Sequence, residues 1–191
     1  MHEFPAWLAS TLASDASEGQ SVLPPWIGAL KPGTRVVGRA FVVLMSQDDN
    51  LSVREAVKSP HAPDTVLVAA GGCASRTATI GDLMALEMQN IGIVALITDG
   101  LVRDAGEIRQ MQQFSVWCRG VTPVASQKKG PAIVGGSVSI GGIVIQDGDL
   151  VIADDDGVVI WPNDQVEGLL IKAEAKWQQD NARLALLQQK K

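Results

Sequence analysis

Two glycine-bearing loops carry the residues best suited to chemistry. The first runs Gly71-Gly72-Cys73-Ala74-Ser75-Arg76-Thr77-Ala78-Thr79-Ile80-Gly81 and leads into Asp82-Leu83-Met84. The second is Asp99-Gly100-Leu101-Val102-Arg103-Asp104. Gly81 lets the backbone approach a ligand closely. If a helix starts after it, the amides of Asp82, Leu83 and Met84 have no intrahelical acceptor and form a site for a carboxylate or phosphate. Arg103 can grip an anion with two parallel hydrogen bonds and does not lose its charge. Asp104, and with it Asp82, offers hard oxygen donors of the kind suited to Mg2+ or Mn2+ ions that keep several waters. A cation, an arginine and helix amides converging on one point suit a small dianionic or enolate-forming ligand.

Plainer readings of the same residues stand beside this one. Asp104-Ala105-Gly106-Glu107 fits a capping box, so Asp104 could simply start a helix. Asp82 in a first helical turn is favoured by the helix dipole alone. Arg103 could do no more than pair with Asp82 or Asp99. Elsewhere the chemistry is thinner. Asp147/Asp149 and Asp154–Asp156 belong to Asp-Gly turns and lack the spacing of a calcium loop. His2 and His61 fall in segments with little periodicity. There is no Ser-His-Asp set, no P-loop and no GxGxxG. Cys73 and Cys118 lie in different segments, form no CxxC pair, and read as small buried hydrophobes of a reducing compartment.

Alternating strands and helices must position these loops. Thr65–Ala70 and Ile93–Thr98 are short, continuous apolar runs, read as buried strands. Leu83–Gln89 reads as a helix that is apolar nearly all round and hence substantially buried, and Ala105–Gln113 as a short amphipathic one. This order is that of a βαβ unit with parallel strands, in which ligands gather beyond the strands' carboxyl ends. If the two strands are neighbours, both loops face one pocket. Upstream, a helix carries Trp7, Leu8, Leu12 and Ala13 on one face. Arg35–Met45 is a β-branched strand with Gly38 as a bulge or close approach, and residues 46–63 form a polar connection with one helical turn near Val53–Val57. After Phe114 the pattern is all-β, with strands near 115–117, 132–134, 137–145, 150–153 and 158–161. Residues 163–190 form an amphipathic helix, with Val166, Leu169, Leu170, Ala173 and Trp177 on one stripe that packs on the core or a neighbouring subunit.

Composition bounds the class. The chain has 191 residues, 46% of them hydrophobic, with 19 glycines, 9 prolines and a net charge of −5. That suits one compact domain with its own core rather than a disordered chain. Sixteen Lys+Arg stand against 21 Asp+Glu, with no basic stripe, which argues against a nucleic-acid binder. No stretch is long and uninterrupted enough to span a membrane, and the N-terminus has no basic region of a secretory signal. The expectation is a soluble, cytoplasmic α/β protein.

The motif Gly81-Asp82-Leu83-Met84-Ala85, with twenty residues between Asp82 and Arg103-Asp104, resembles the D-x20-R-D signature of class II 4-hydroxy-4-methyl-2-oxoglutarate aldolases. That family also contains RraA, the regulator of ribonuclease activity. Similar segments flank it: 10–16, Leu30-Lys31-Pro32-Gly33 with Val37-Gly38-Arg39-Ala40, Arg119-Gly120-Val121-Thr122-Pro123, 141–149 and 153–159. The resemblance covers roughly residues 7–166. It implies a mixed α/β, RraA-like domain (a swivelling β/β/α type) around a central β-barrel-like sheet, spanning 1–166 and followed by a C-terminal helix, 167–191. It further implies homotrimers or hexamers with sites near subunit interfaces.

The resemblance also implies an activity. Such aldolases cleave 4-hydroxy-4-methyl-2-oxoglutarate or 4-carboxy-4-hydroxy-2-oxoadipate to release pyruvate, often decarboxylate oxaloacetate, and use a divalent metal. By position, Asp104 would hold Mg2+ largely through its waters. Arg103 would contact the pyruvyl group, Gly81 and the amides of Leu83 and Met84 would receive its carboxylate, and Asp82 would relay protons through a water. The family draws a further acid from a neighbouring chain, for which Glu174 and Asp180 are the candidates. The contrasting expectation is a non-catalytic regulator of RraA type that binds ribonuclease E or related proteins. The presence of Asp104 after the arginine favours catalysis. A methyltransferase reading finds no glycine-rich loop for a methyl donor.

Overall fold

The computed structural model describes residues 4–58 and 60–189, so His2, Lys190 and Lys191 lie outside it. In chain order the elements are α1 (Ser10–Ala16), β1 (Gly28–Ala29), β2 (Val36–Leu44), α2 (Leu51–Ala56), β3 (Thr65–Ala70), α3 (Asp82–Asn90) and β4 (Ile93–Thr98). Then come β5 (Leu101–Val102), α4 (Ala105–Gln110), β6 (Ser115–Cys118), β7 (Gly120–Val121) and β8 (Ile133–Val134). The chain finishes with β9 (Ser137–Ile140), β10 (Ile143–Gln146), β11 (Leu150–Asp154), β12 (Gly157–Trp161) and α5 (Val166–Gln188).

The main sheet has the order β1-β6-β4-β3-β2-β11-β12, with β8 on the second half of β2. Strands β2, β3, β4 and β6 are mutually parallel, and the strands at either edge are antiparallel. The segment before β2 brings the two edges together. Val22 bridges Val159 in β12, Leu23 N–H donates to Val158 O and Ile160 N–H to Ser21 O, both at 2.9 Å. A few residues later the same segment becomes β1 and pairs with β6. The sheet is therefore nearly closed, like a barrel.

Strand alternation separates two sides of that sheet. Val42, Val66, Val68, Ala95, Ile97, Trp117, Val151 and Ile160 fill the inside. Val43, Leu67, Ala69, Leu96 and Val116 face outward onto α2, α3 and α4. Leu150, Ile152, Val159 and Trp161 face outward onto α1 and the first half of α5. Both buried indoles find an acceptor, as their N–H requires: Trp117 Nε1–H donates to Asp154 O at 2.8 Å and Trp161 Nε1–H to Ala13 O at 3.2 Å. Trp7 stacks on Trp177 with centroids 5.4 Å apart, so the stripe read from the sequence of α5 docks on α1. Gly38 is a close approach as expected, since a β-carbon there would sit 2.1 Å from Asp64 O.

Several expectations need correction. Helix α3 is not buried all round: Ala85 and Met88 are inside, whereas Leu83 is 72% exposed and Leu86 45%. Periodicity cannot separate a buried helix from one that offers apolar residues at the surface. The run 137–145 is not one strand but the β9–β10 hairpin, turned by Gly141-Gly142 at positive φ. Cys73 is exposed rather than buried. His61 is better placed than its sequence surroundings indicate, with Nε2 2.8 Å from Ala56 O and its ring against Phe41. Among the described residues no helix is long and apolar enough to cross a membrane.

Candidate functional site

Strands β3 and β4 are neighbours and parallel, so the loops that follow them meet at one end of the sheet. They are joined backbone to backbone. Thr79 N–H donates to Leu101 O at 2.7 Å and Arg103 N–H to Ile80 O at 3.0 Å. The next layer is added by β7, which runs parallel to β5, and by Thr122 N–H to Val102 O and Ala78 N–H to Val124 O. Deeper down, a β-carbon on Gly72 would sit 2.6 Å from Gly100 Cα. Only two glycines permit that contact.

Asp99 is committed to this scaffold. Its carboxylate accepts from the Gly72 and Gly71 amides at 2.7 and 3.2 Å. Burial pushes its pKa above the usual carboxylate value, against the opposing pull of those amides. Arg103 therefore does not take Asp99 as its partner; its Nε pairs with Asp104 Oδ2 at 3.3 Å.

Asp104 does not act as a capping box. It precedes α4 in the left-handed conformation, φ 53 and ψ 40, and its side chain makes no cap hydrogen bond. That backbone turns the carboxylate back towards Gly81, where Oδ2 lies 3.4 Å from the Asp82 amide. Gly81 is extended (φ −123, ψ −171) and offers no side-chain cap to α3, so the Leu83 and Met84 amides start the helix without intrahelical acceptors. Arg103 and Asp104 remain accessible, with side chains 42% and 37% exposed.

A cavity of about 230 Å³ opens here. Its lining includes Gly81 to Met84 and Arg103, together with Asn50, Arg54 and Lys128. Asp104 is not part of the lining, although its carboxylate abuts both Gly81 and Arg103. A larger cavity, about 690 Å³, lies at the opposite strand ends near Asp64 and Ile93. None of the residues singled out in the two loops reaches it, and in parallel sheets ligand loops gather at the carboxyl ends. The smaller cavity is the candidate site. The structure thus brings together Gly81, Asp82, Leu83, Met84, Arg103 and Asp104. Glu174 and Asp180 lie on exposed faces of α5 and line neither cavity.

Three residues went unnoticed in the sequence, all in the polar connection after β2. Asp48 accepts from the Arg76 and Thr77 amides at 2.8 and 3.2 Å. Asp49 accepts from the Leu51, Lys129 and Gly130 amides at 2.8, 2.6 and 3.0 Å. Backbone donors hold both carboxyls below their ordinary pKa, although partial burial opposes this. Asn50 Nδ2–H donates to Thr79 O at 2.8 Å. Together they tie the loops after β2 and β3 to the 122–130 segment. The run Asp48-Asp49-Asn50 was the available signal, because turn-formers after a parallel strand mark a ligand loop.

Among the described residues no group of three or more His, Cys, Asp or Glu is arranged to hold a metal. One exposed carboxylate at Asp104, with Asp82 next to it in space, fits a hard divalent ion that keeps most of its waters. It does not fit a closed structural zinc site.

The RraA-like (Aldolase/RraA) family model matches residues 11–160. A protein of Halalkalibacterium halodurans, provisionally named a 4-hydroxy-4-methyl-2-oxoglutarate aldolase, is 35% identical over 92% of this chain and 83% of its own length. One of Alkalilimnicola ehrlichii with the same provisional name is 38% identical over 82% and 95%. Among solved structures, Streptomyces coelicolor RraAS2, described as an unusual member of the RNase ES inhibitor RraA family, superposes with a TM-score of 0.78. It is 26% identical, covering 94% of each chain.

Proposed function

Since the chain belongs to the RraA-like, Aldolase/RraA family, we propose that it is a divalent-metal-dependent pyruvate lyase. Its substrate is a 4-hydroxy-2-oxo polycarboxylic acid, either the diacid 4-hydroxy-4-methyl-2-oxoglutarate or the triacid 4-carboxy-4-hydroxy-2-oxoadipate, with oxaloacetate decarboxylation as a side activity. The observation that carries this is the convergence of Arg103, the Leu83 and Met84 amides and the Asp104 carboxylate on Gly81. The assigned names of two relatives agree with it.

The substrate's 1-carboxylate lies on the Leu83 and Met84 amides, with Gly81 leaving room for it. Arg103 faces the 2-oxo oxygen. Removal of the 4-hydroxyl proton, by a water held on Asp82, turns that C–O bond into a carbonyl and breaks the C3–C4 bond. The electron pair passes to C3 and on to the 2-oxo oxygen, giving pyruvate enolate, which becomes pyruvate on protonation at C3. Arg103 gains in attraction as charge develops on that oxygen. A divalent ion on Asp104, Mg2+ or Mn2+, would supply Lewis-acid stabilisation of the same charge.

A second reading, binding to a ribonuclease without catalysis, is favoured by the likeness to RraAS2. Pyruvate release separates the two. The assay uses both hydroxy-oxo acids and oxaloacetate, with Mg2+ and with EDTA. Metal-dependent release is expected. No release from any of them, alongside tight binding to a ribonuclease, overturns the lyase reading. We place the enzyme in the cytoplasm as a homotrimer or hexamer, to be checked by fractionation and light scattering.

A further inference from the structure

Asn50 stands at the N-cap of α2, where an asparagine ordinarily caps the helix amides. It does not do so here; Asp49 takes the Leu51 amide instead. The Asn50 side chain turns away to Thr79 O. Its Oδ1 is left as a buried acceptor with no donor, and is singular in that respect among the described residues. Asn50 is 5% exposed and lines the candidate cavity. A buried polar atom without a partner in a ligand cavity marks a place for a ligand's donor.

The charges around it point the same way. Arg54, one turn along α2, and Lys128 line the cavity too. Neither forms a salt bridge among the described residues, in contrast to Arg103, which is engaged by Asp104. Asp49 fixes Lys128 through the amides of Lys129 and Gly130. Asp82 and Glu87 share the lining, so the cavity holds three cationic side chains and two anionic ones. The pyruvyl end of a ligand uses Arg103, so Arg54 and Lys128 are the cationic side chains of the lining left to meet a second carboxylate.

We infer that Asn50, Arg54 and Lys128 form a second subsite for the hydroxyl- and carboxylate-bearing end of a dicarboxylic substrate. The ligand hydroxyl donates to Asn50 Oδ1, and the far carboxylate lies between Arg54 and Lys128. This rests on the lyase reading for the direction in which the substrate lies. It adds the residues that select a diacid over a monoacid.

Binding tests it without turnover. In the presence of Mg2+, dissociation constants of pyruvate and 2-oxoglutarate are measured by calorimetry for the intact chain and for the Arg54→Gln/Lys128→Gln double variant. The intact chain is expected to bind 2-oxoglutarate at least ten-fold more tightly. The variant is expected to lose at least ten-fold for 2-oxoglutarate and less than two-fold for pyruvate. Absence of the initial preference, or equal losses for the two ligands, overturns the carboxylate assignment. For the hydroxyl, citramalate is compared with methylsuccinate, which lacks it. A five-fold preference for citramalate should fall within two-fold in Asn50→Ala, a ratio that a uniform weakening from the lost Asn50–Thr79 hydrogen bond does not move. Persistence of the preference, or its absence from the intact chain, removes Asn50 from the subsite. If these rankings hold while no substrate releases pyruvate, the lyase reading fails and the subsite stands.

Discussion

A β-carbon placed on Gly81 would lie 2.3 Å from Oδ2 of Asp104. It would also lie 2.9 Å from Arg103 Nε, so the glycine is what lets two charged side chains close on the start of α3. The Gly81 backbone is in an ordinary extended conformation. Gly81→Ala is therefore expected to shift the two side chains rather than strain the main chain. Pyruvate release should fall at least ten-fold, while the thermal midpoint moves by only about 2–4 °C. A variant with full activity would place the chemistry elsewhere.

Arg103→Ala and Asp104→Ala remove charges that are more than a third exposed. Their effect on folding should be small, within about 0.5 kcal/mol. Their effect on turnover should be large, about 10²–10³ in kcat, the loss typical of removing a group that meets developing charge. Oxaloacetate turned over at the parent rate by both variants would refute the site.

Gly72→Ala makes the contrasting case. Its β-carbon meets main-chain atoms of Gly100 at 2.6 and 2.9 Å, which cannot rotate away. Denaturant titration should show a loss of about 1–3 kcal/mol, as for other overpacked positions. Activity should fall as well, because the two loops are forced apart. Unchanged stability would mean that the loops can part freely.

Asp49 is predicted to be a positioning residue whose charge matters. Asp49→Asn would turn an N–H2 towards amide donors that now meet an acceptor, costing about 1–3 kcal/mol. The pH dependence follows from the depressed pKa values of Asp48 and Asp49. Each group binds its proton less readily when folded, so the stability it adds is complete above the ordinary carboxylate pKa. That stability is lost as pH falls through the lower folded value. Amide exchange at Arg76, Thr77, Lys129 and Gly130, corrected for intrinsic rates, should show protection falling with pH in that window. Constant protection down to pH 2 would contradict the assignment.

The sequence by itself determined a good deal. Buried strands 65–70 and 93–98, the βαβ order and the Gly81–Met84/Arg103-Asp104 motif are local patterns, written in runs of apolar residues and fixed spacings. They were legible because a short strand buried on both faces is apolar throughout and because a motif keeps its residues in order. The tertiary structure decided what depends on neighbours distant in the chain. The sheet nearly closes because residues 21–29 reach from β12 to β6, and no periodicity signals that. Arg103 takes Asp104 rather than Asp99 because burial among glycine amides occupies Asp99. Asn50 and Lys128, 78 positions apart, meet at one cavity because Asp49 gathers amides from both segments. Local spacing fixes which residues can do chemistry, and long-range hydrogen bonds fix which of them share a site.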